Sequence, residues 1–461
     1  MRRPVALALV LLLGACTAEE PPATPPRFEP GAEGAGDPYF PKYGNGGYDV
    51  AGYDLALRYD PARGELNGTA TITATATQDL SRFDFDLHRL KAKSVLVDGA
   101  AATSAGNGDE LVITPAAGIV KGRAFTVVVD YGGVPGQLTN ETLGAGGWLS
   151  GTDSAVALGQ PESASTWYPV NDHPSDKATF KLAITVPDGL TALSIGVPGP
   201  RTSDDGWTTW RWTESSPLAS YLSTVVIGKY RVTTTTHAGK PMVTAVPAAL
   251  PADGPAARSL ARTGEIADFL ATRFGPYPFD AYGGIVVADD RIRYALETQS
   301  RPAYGQAFFD GRPNGSVVAH ELAHQWFGDS VALTRWKDIW LNEGFATYAE
   351  WLWEEHDRNK SVRANFEEAY SSFNFDQAPG DPGVADLFGD AVYRRGGMTV
   401  YALRLKIGDA AFDRLLTTWT SAHRDGNAGT DDLIKLAEQL SGQDLGAFFQ
   451  TWLYGKTKPT Y

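Results

Sequence analysis

From Tyr48 to about Val246, apolar and polar residues alternate with period two. Runs such as "GYDLALRYD", "GELNGTATITATATQ", "RAFTVVVDYGG", "ATFKLAITVP" and "YLSTVVIGKYRV" put their apolar side chains on one face of an extended chain, and Gly, Pro, Asn and Asp punctuate them. The pattern predicts an antiparallel all-β domain over residues 47–246. After about residue 250 the period lengthens to that of a helix. "ARSLARTGEIADFLATRFG" predicts a helix ending at Gly275, with Pro276 behind it. A short strand region over 281–299 follows. Helices are then predicted at about 314–328, 339–357, 360–373, 391–407, 409–423, 430–441 and 444–453. Residues 247–461 therefore read as a second, α+β and mostly helical domain.

The first residues fit neither pattern. "MRR", then nine apolar residues, then "GAC" form an export signal over residues 1–15, too short to be a permanent span. "LGAC" resembles the lipobox of bacterial lipoproteins, with Cys16, the only cysteine of the chain, as the lipidated residue. An exported chain with one cysteine has no internal disulfide to make, which leaves the thiol for another use. Ordinary cleavage just past Cys16, after Ala18, is the alternative. Lipidation predicts a protein anchored to the extracytoplasmic face of a bacterial membrane, in the cell envelope. Residues 16–46, rich in Pro, Gly, Ala and Glu, read as a linker.

Composition narrows little: 43% hydrophobic and 20% charged residues are ordinary for a globular chain. The net charge of −14 provides no basic surface for nucleic acid.

The chemistry concentrates in "VVAHELAHQWFGD". His320 and His324 stand four residues apart, so on a helix both imidazoles leave the same face and can grip one metal ion. Glu321 sits where a general base for a water at that metal belongs. Two buried and merely satisfied histidines would show the same spacing. Zinc needs a third protein ligand and an open position for catalysis. In "WKDIWLNEGFATYAEWLWEE", Glu343 follows His324 by nineteen residues, on a second helix that can fold back. Asp338 is a candidate partner for the far side of one imidazole. Glu297 is a lone carboxylate in "IRYALETQS", after the apolar run "YGGIVVADD"; a solvated edge residue and a group aimed into a site both fit it.

"HELAHQWFGD", followed at that spacing by "LNEGFATY", resembles the aminopeptidase N family of gluzincin metallopeptidases, over about residues 48–461. The resemblance implies a β-sandwich-like first domain and a thermolysin-like second domain. It implies one zinc per chain on His320, His324 and Glu343, with Glu321 as base, and peptide substrates with a free N-terminus. It implies that Tyr393, in "AVYRRGG", donates to the oxyanion. The family's G-A-M-E-N stretch aligns with "YALET": Ala295 and Glu297 keep their places, while Tyr294, Leu296 and Thr298 replace Gly, Met and Asn. Glu297 is then the anchor for the substrate amine. "GQPESASTWYPVNDHPSDKATF" resembles a second family region, which makes Gln160 and Glu162 further substrate contacts and leaves His173, in place of the usual Glu, without a role. The chain ends about 118 residues after Glu343, so it reads as a short form without the family's C-terminal covering domains and with a more open cleft.

Two other functions share these residues. A zinc endopeptidase, or a hydrolase of another small substrate, would cleave equally well with the substrate amine blocked. A non-catalytic surface binding protein would hold zinc without turnover.

Overall fold

The computed structural model describes residues 27–140 and 142–461. The export signal, the lipobox and Cys16 lie outside the described residues. No helix among the described residues is long and apolar enough to cross a membrane.

The first domain is built on a nine-stranded sheet. Its centre pairs Tyr48–Asp60 with Glu65–Ala76 antiparallel and with Lys177–Pro187 in parallel. Period two dictates its faces. Leu55, Leu57 and Tyr59 are buried, while Asp54, Ala56 and Arg58 between them face solvent. The phase slips by one residue at a bulge between Val50 and Gly52, which keeps Tyr48 and Val50 on the buried side. A five-stranded sheet and a four-stranded sheet complete the domain.

Residues 27–46 depart from the reading of a free linker. Composition suggests a spacer, but three residues in this strap, Asp37, Tyr39 and Phe40, find partners on the body. The Asp37 carboxylate accepts from the Trp336 N–H at 2.8 Å and lies 3.2 Å from His173 Nε2. It also accepts from the N–H groups of Tyr39 and Phe40. The Tyr39 hydroxyl donates to Asp381 and accepts from the Gly383 N–H at 2.9 Å. Phe40 stacks on Tyr43 and meets Trp336 edge-on. The strap therefore ties the two domains together, and His173 is one of its anchors.

The hairpin Tyr230–His237 and Lys240–Pro247 is also placed differently. Period two put it in the first domain. It is hydrogen-bonded instead into a sheet that continues with Tyr282–Val287 and Ala303–Gly305 and ends at an edge strand, Ala295–Leu296. A line at 246/247 thus cuts through a sheet, because both domains contain strands of the same period.

The helices of the second domain fall close to their predicted places. The stretch predicted as one helix over 257–275 is two, α1 (Pro255–Leu260) and α2 (Thr263–Phe274), because the Thr263 hydroxyl takes the Leu260 carbonyl where the chain bends. After these come α3 (Gly315–Ala323), α4 (Trp340–Arg358), α5 (Val362–Ser372), α6 (Gly396–Ile407), α7 (Asp409–Ala422) and α8 (Thr430–Ser441). The helix predicted over 314–328 stops at Ala323, and turns fill 324–330. Gly328, at φ +129°, supplies the left-handed backbone those turns need.

Two buried arginines brace the junctions. Arg301 donates to the carbonyls of Ser194 and Gly196 in the first domain, and it lies over the Trp212 ring. Glu214, also buried, is pushed up to about 7 by that burial. Arg395 donates to the carbonyls of Phe375, Gln377, Thr451, Trp452 and Gly455, at 2.6 to 3.1 Å.

Candidate active site

The Asn314 side chain caps α3 at the Val317 N–H, starting the helix that carries both histidines. Both rings are buried. His320 Nε2 lies 3.3 Å from Glu343 Oε2, and His324 Nε2 lies 3.4 Å from the same oxygen. α4 delivers that oxygen, and a glycine contact allows it. A Cβ on Gly344 would lie 2.8 Å from the Gly396 carbonyl carbon, so α4 meets the start of α6 backbone to backbone. Tyr393, three residues before Gly396, sits in a π-type turn, Ala391–Arg395, that Arg395 pins in place. Its ring stacks on His320, with centroids 6.0 Å apart.

The tautomers follow from the far nitrogens. His324 Nδ1 stands 3.0 Å from the Phe327 carbonyl, which can only accept, so the ring donates there. His320 Nδ1 stands 2.5 Å from Glu350 Oε1. Both Nε2 lone pairs are therefore left for a shared partner beside Glu343. The donor atoms of His320, His324 and Glu343 all lie within 4.8 Å of one another. Two imidazole nitrogens and one carboxylate, each supported from behind, fit zinc and leave room for an exchangeable position. The protonation balance agrees. Burial disfavours a charged His320 ring, but Glu343 and Glu350 hold its pKa well above the ordinary value. Burial likewise opposes the Glu343 charge, and the two imidazoles overcome it and lower its pKa. A cation at this position takes the place of the proton these groups otherwise share.

Asp338 is not a partner of either imidazole. It accepts from the Thr430 hydroxyl at 2.7 Å, and Glu350 and the Phe327 carbonyl hold the rings instead. A signal for Glu350 existed: it follows Glu343 by seven residues on one helix, two turns along the same face.

Glu297, Glu321 and His324 form a second group whose atoms also lie within 4.8 Å of one another. Glu297 thus faces the metal ligands and is not a solvated edge residue. Its carboxylate accepts from the Tyr221 hydroxyl at 3.1 Å and from Gln160 Nε2 at 3.3 Å, both from the first domain. Tyr221 was not singled out in the sequence, since nothing marks one tyrosine among 19. Gln325, next to His324, donates to the Glu297 carbonyl at 3.1 Å and accepts from the Ser300 N–H at 2.6 Å, locking the segment behind the carboxylate. Burial raises the Glu321 carboxyl to about 8, against the pull of both histidines.

These groups line a cavity of ≈ 300 Å³ shared with Gln160, Ala295 and Tyr393. Tyr294 also lines it and donates to the Ala145 carbonyl at 3.1 Å, and the Thr298 hydroxyl donates to the Arg301 carbonyl at 2.7 Å. Both replacements are therefore accommodated by hydrogen bonds within the fold. Glu162 is not among the lining residues. It opens with Tyr43 onto an adjoining cavity of ≈ 60 Å³, where burial and then Asp172 push its carboxyl up to about 8.

Comparison with known proteins gives a consistent picture. The model of the peptidase M1 N-terminal domain matches residues 50–222, and that of the peptidase family M1 domain matches residues 303–452. Aminopeptidase N of Lactobacillus delbrueckii subsp. lactis is 27% identical over 442 residues, which is 87% of this chain and 50% of that protein. Aminopeptidase M1-A of Oryza sativa subsp. japonica is 28% identical over 332 residues, 65% of this chain and 36% of that protein. The chain spans half or less of the length of these curated relatives. An M1 zinc metallopeptidase from Deinococcus radiodurans, solved as a mutant bound to a Tyr-Ser-Ala substrate, superposes with a TM-score of 0.85 at 28% identity. That match covers 93% of this chain and 99% of the other.

Proposed function

The chain belongs to peptidase family M1, and from that premise we propose that it is a zinc aminopeptidase, releasing the N-terminal residue of peptides. One observation carries the exopeptidase part of the reading: the Glu297 carboxylate, held by Tyr221 and Gln160, faces the same small cavity as His320, His324 and Glu343.

When bound, zinc supplies Lewis acidity, polarising a carbonyl and easing deprotonation of a water. The remaining work falls to the chain. Glu297 binds the ammonium group of the substrate, which sets the first peptide bond at the ligand cluster. An internal segment has no ammonium to offer and would leave that carboxylate buried and unpaired, at a cost of several kcal/mol. Glu321 takes a proton from the attacking water and hands it to the departing amine nitrogen. The Tyr393 hydroxyl donates to the oxygen that gains charge.

The test is a panel of aminoacyl-arylamides, each run free and N-acetylated, with and without chelator. We expect turnover of the free forms only, loss of it with chelator, and its return with added zinc. Equal rates on acetylated substrates would point to an endopeptidase and remove the anchor role of Glu297. Glu321→Gln should bind zinc at one per chain and lose roughly 10²–10⁴ in rate.

We also propose that Cys16 is lipidated and holds the enzyme on the extracytoplasmic face of a bacterial membrane. The support is the signal pattern and the "LGAC" stretch. Mass spectrometry of the mature N-terminus tests it: an acylated Cys16 supports the anchor, and an unmodified N-terminus after Ala18 refutes it.

A further inference from the structure

Besides the groups used above, the cavity carries an arginine. Arg293 lines it together with Glu297, Glu321, Glu343 and Tyr393, and no other arginine or lysine does so among the described residues. Its side chain is exposed. Its neighbour Arg291 is paired with Asp289 at 2.6 Å, whereas Arg293 has no carboxylate at ion-pair distance among the described residues. Among the described residues the cavity is therefore acidic at the Glu297 end and carries one cation without a carboxylate partner elsewhere on its wall.

The direction from one to the other is fixed by the chain. Arg293 precedes Glu297 by four residues, a span of at most about 14 Å. Ala295 between them lies on the edge strand, which leaves a free side for an added strand. The Gly305 N–H donates to the Tyr294 carbonyl at 3.0 Å inside the sheet, so by strand alternation the polar groups of Ala295 face the open edge. A peptide laid on that edge with its amine at Glu297 cannot continue past Glu297, because Thr298, Gln299 and Ser300 are fully buried. It must run antiparallel, toward Arg293. An extended tripeptide covers roughly 10 Å from amine to carboxylate. The reach of an arginine side chain closes the difference.

Resting on the aminopeptidase reading, we propose that Arg293 binds a substrate carboxylate two or three residues from the free amine. The cavity is thus complementary to a short zwitterion, with Glu297 taking the ammonium and the Arg293 guanidinium taking the carboxylate in its fork. The carboxylate is the C-terminus of a short peptide or an acidic side chain at the second or third residue.

The experiment compares kcat/KM for tri-alanine, tri-alanine amide, and the amides Ala-Asp-Ala-NH2 and Ala-Ala-Asp-NH2, in the wild type, Arg293→Gln and Arg293→Lys. Each readout is a ratio within one variant, so the amount of active enzyme cancels. We expect the wild type to favour a carboxylate-bearing peptide over tri-alanine amide by about tenfold. The ratio should fall to about one in Arg293→Gln and partly return in Arg293→Lys. Preference for tri-alanine assigns the C-terminal carboxylate as the ligand, and preference for an aspartyl amide assigns the side chain. Ratios of about one throughout the wild type, or a preference that survives Arg293→Gln, overturn the proposal. Alanine arylamide, which ends short of Arg293, separates the two readings. Turnover of it with ratios of one removes only the role of Arg293, whereas no turnover removes the aminopeptidase reading itself.

Discussion

Glu350 Oε1 lies 2.5 Å from His320 Nδ1, one face and two turns along α4 from the ligand Glu343. A single helix thus supplies a metal ligand and the group that orients another. Glu350→Ala removes the second function and leaves the first. We expect zinc affinity to fall by about 10- to 100-fold, with activity recovered in part at saturating zinc. Competition against a chelator of known affinity measures it, and an unchanged affinity would show that the contact is idle.

Tyr393 is held by a π-type turn and by the five carbonyl bonds of Arg395, and among the described residues its own hydroxyl makes no hydrogen bond. The proposed role leaves that O–H to meet the reacting carbonyl. Tyr393→Phe should lower kcat by about 10²–10³, with little change in KM, since the bond strengthens only as charge develops. A rise in KM at constant kcat would mean that the ring only packs against His320.

Glu214 gives a pH signature for stability. Burial raises its pKa from 4.5 to about 7 in the folded state. The folded protein therefore binds the proton more tightly than the unfolded chain. The associated stability is complete below pH 4.5 and is lost as pH rises through about 7. Glu214→Gln does not titrate. The stability of this variant relative to wild type should rise by about 3 kcal/mol across that window and stay level above it. Denaturant unfolding of both proteins in a buffer series reads the gap, and a gap independent of pH contradicts the assignment.

Asp37 accepts hydrogen bonds from the N–H groups of Tyr39, Phe40 and Trp336. Asp37→Ala leaves the Trp336 N–H without its partner at a buried position. A loss of about 3 kcal/mol is expected in urea unfolding. A loss below 0.5 kcal/mol would mean that the strap docks without Asp37.

The sequence carried the ligands and the domain classes because each leaves a local trace. Two imidazoles four apart and a carboxylate on the next helix are set by helical geometry, and alternation is set by the pleat. What stayed hidden depends on contacts distant in the chain. Tyr221 reaches Glu297 across 76 residues, and no local pattern distinguishes it from a core tyrosine. The strap reads as a free spacer because Pro and Gly dominate its composition, while its docking rests on Asp37, Tyr39 and Phe40. Asp338 is a carboxylate close in sequence to Glu343, but it is committed to Thr430 and Arg335. The hairpin over 230–247 alternates like the strands before it, and only pairing tells which sheet receives it.

The proposed anchor for the substrate amine is assembled from Tyr221 and Gln160 on one side of the domain boundary and Glu297 on the other. Neither half is therefore a transferable module. A catalytic domain grafted onto a foreign β domain would inherit the metal ligands and Glu297 intact and lose the two donors that hold the Glu297 carboxylate in place. Recombination between relatives should thus yield active metal sites with loosened selectivity more readily than dead proteins, unless both sides of the boundary travel together.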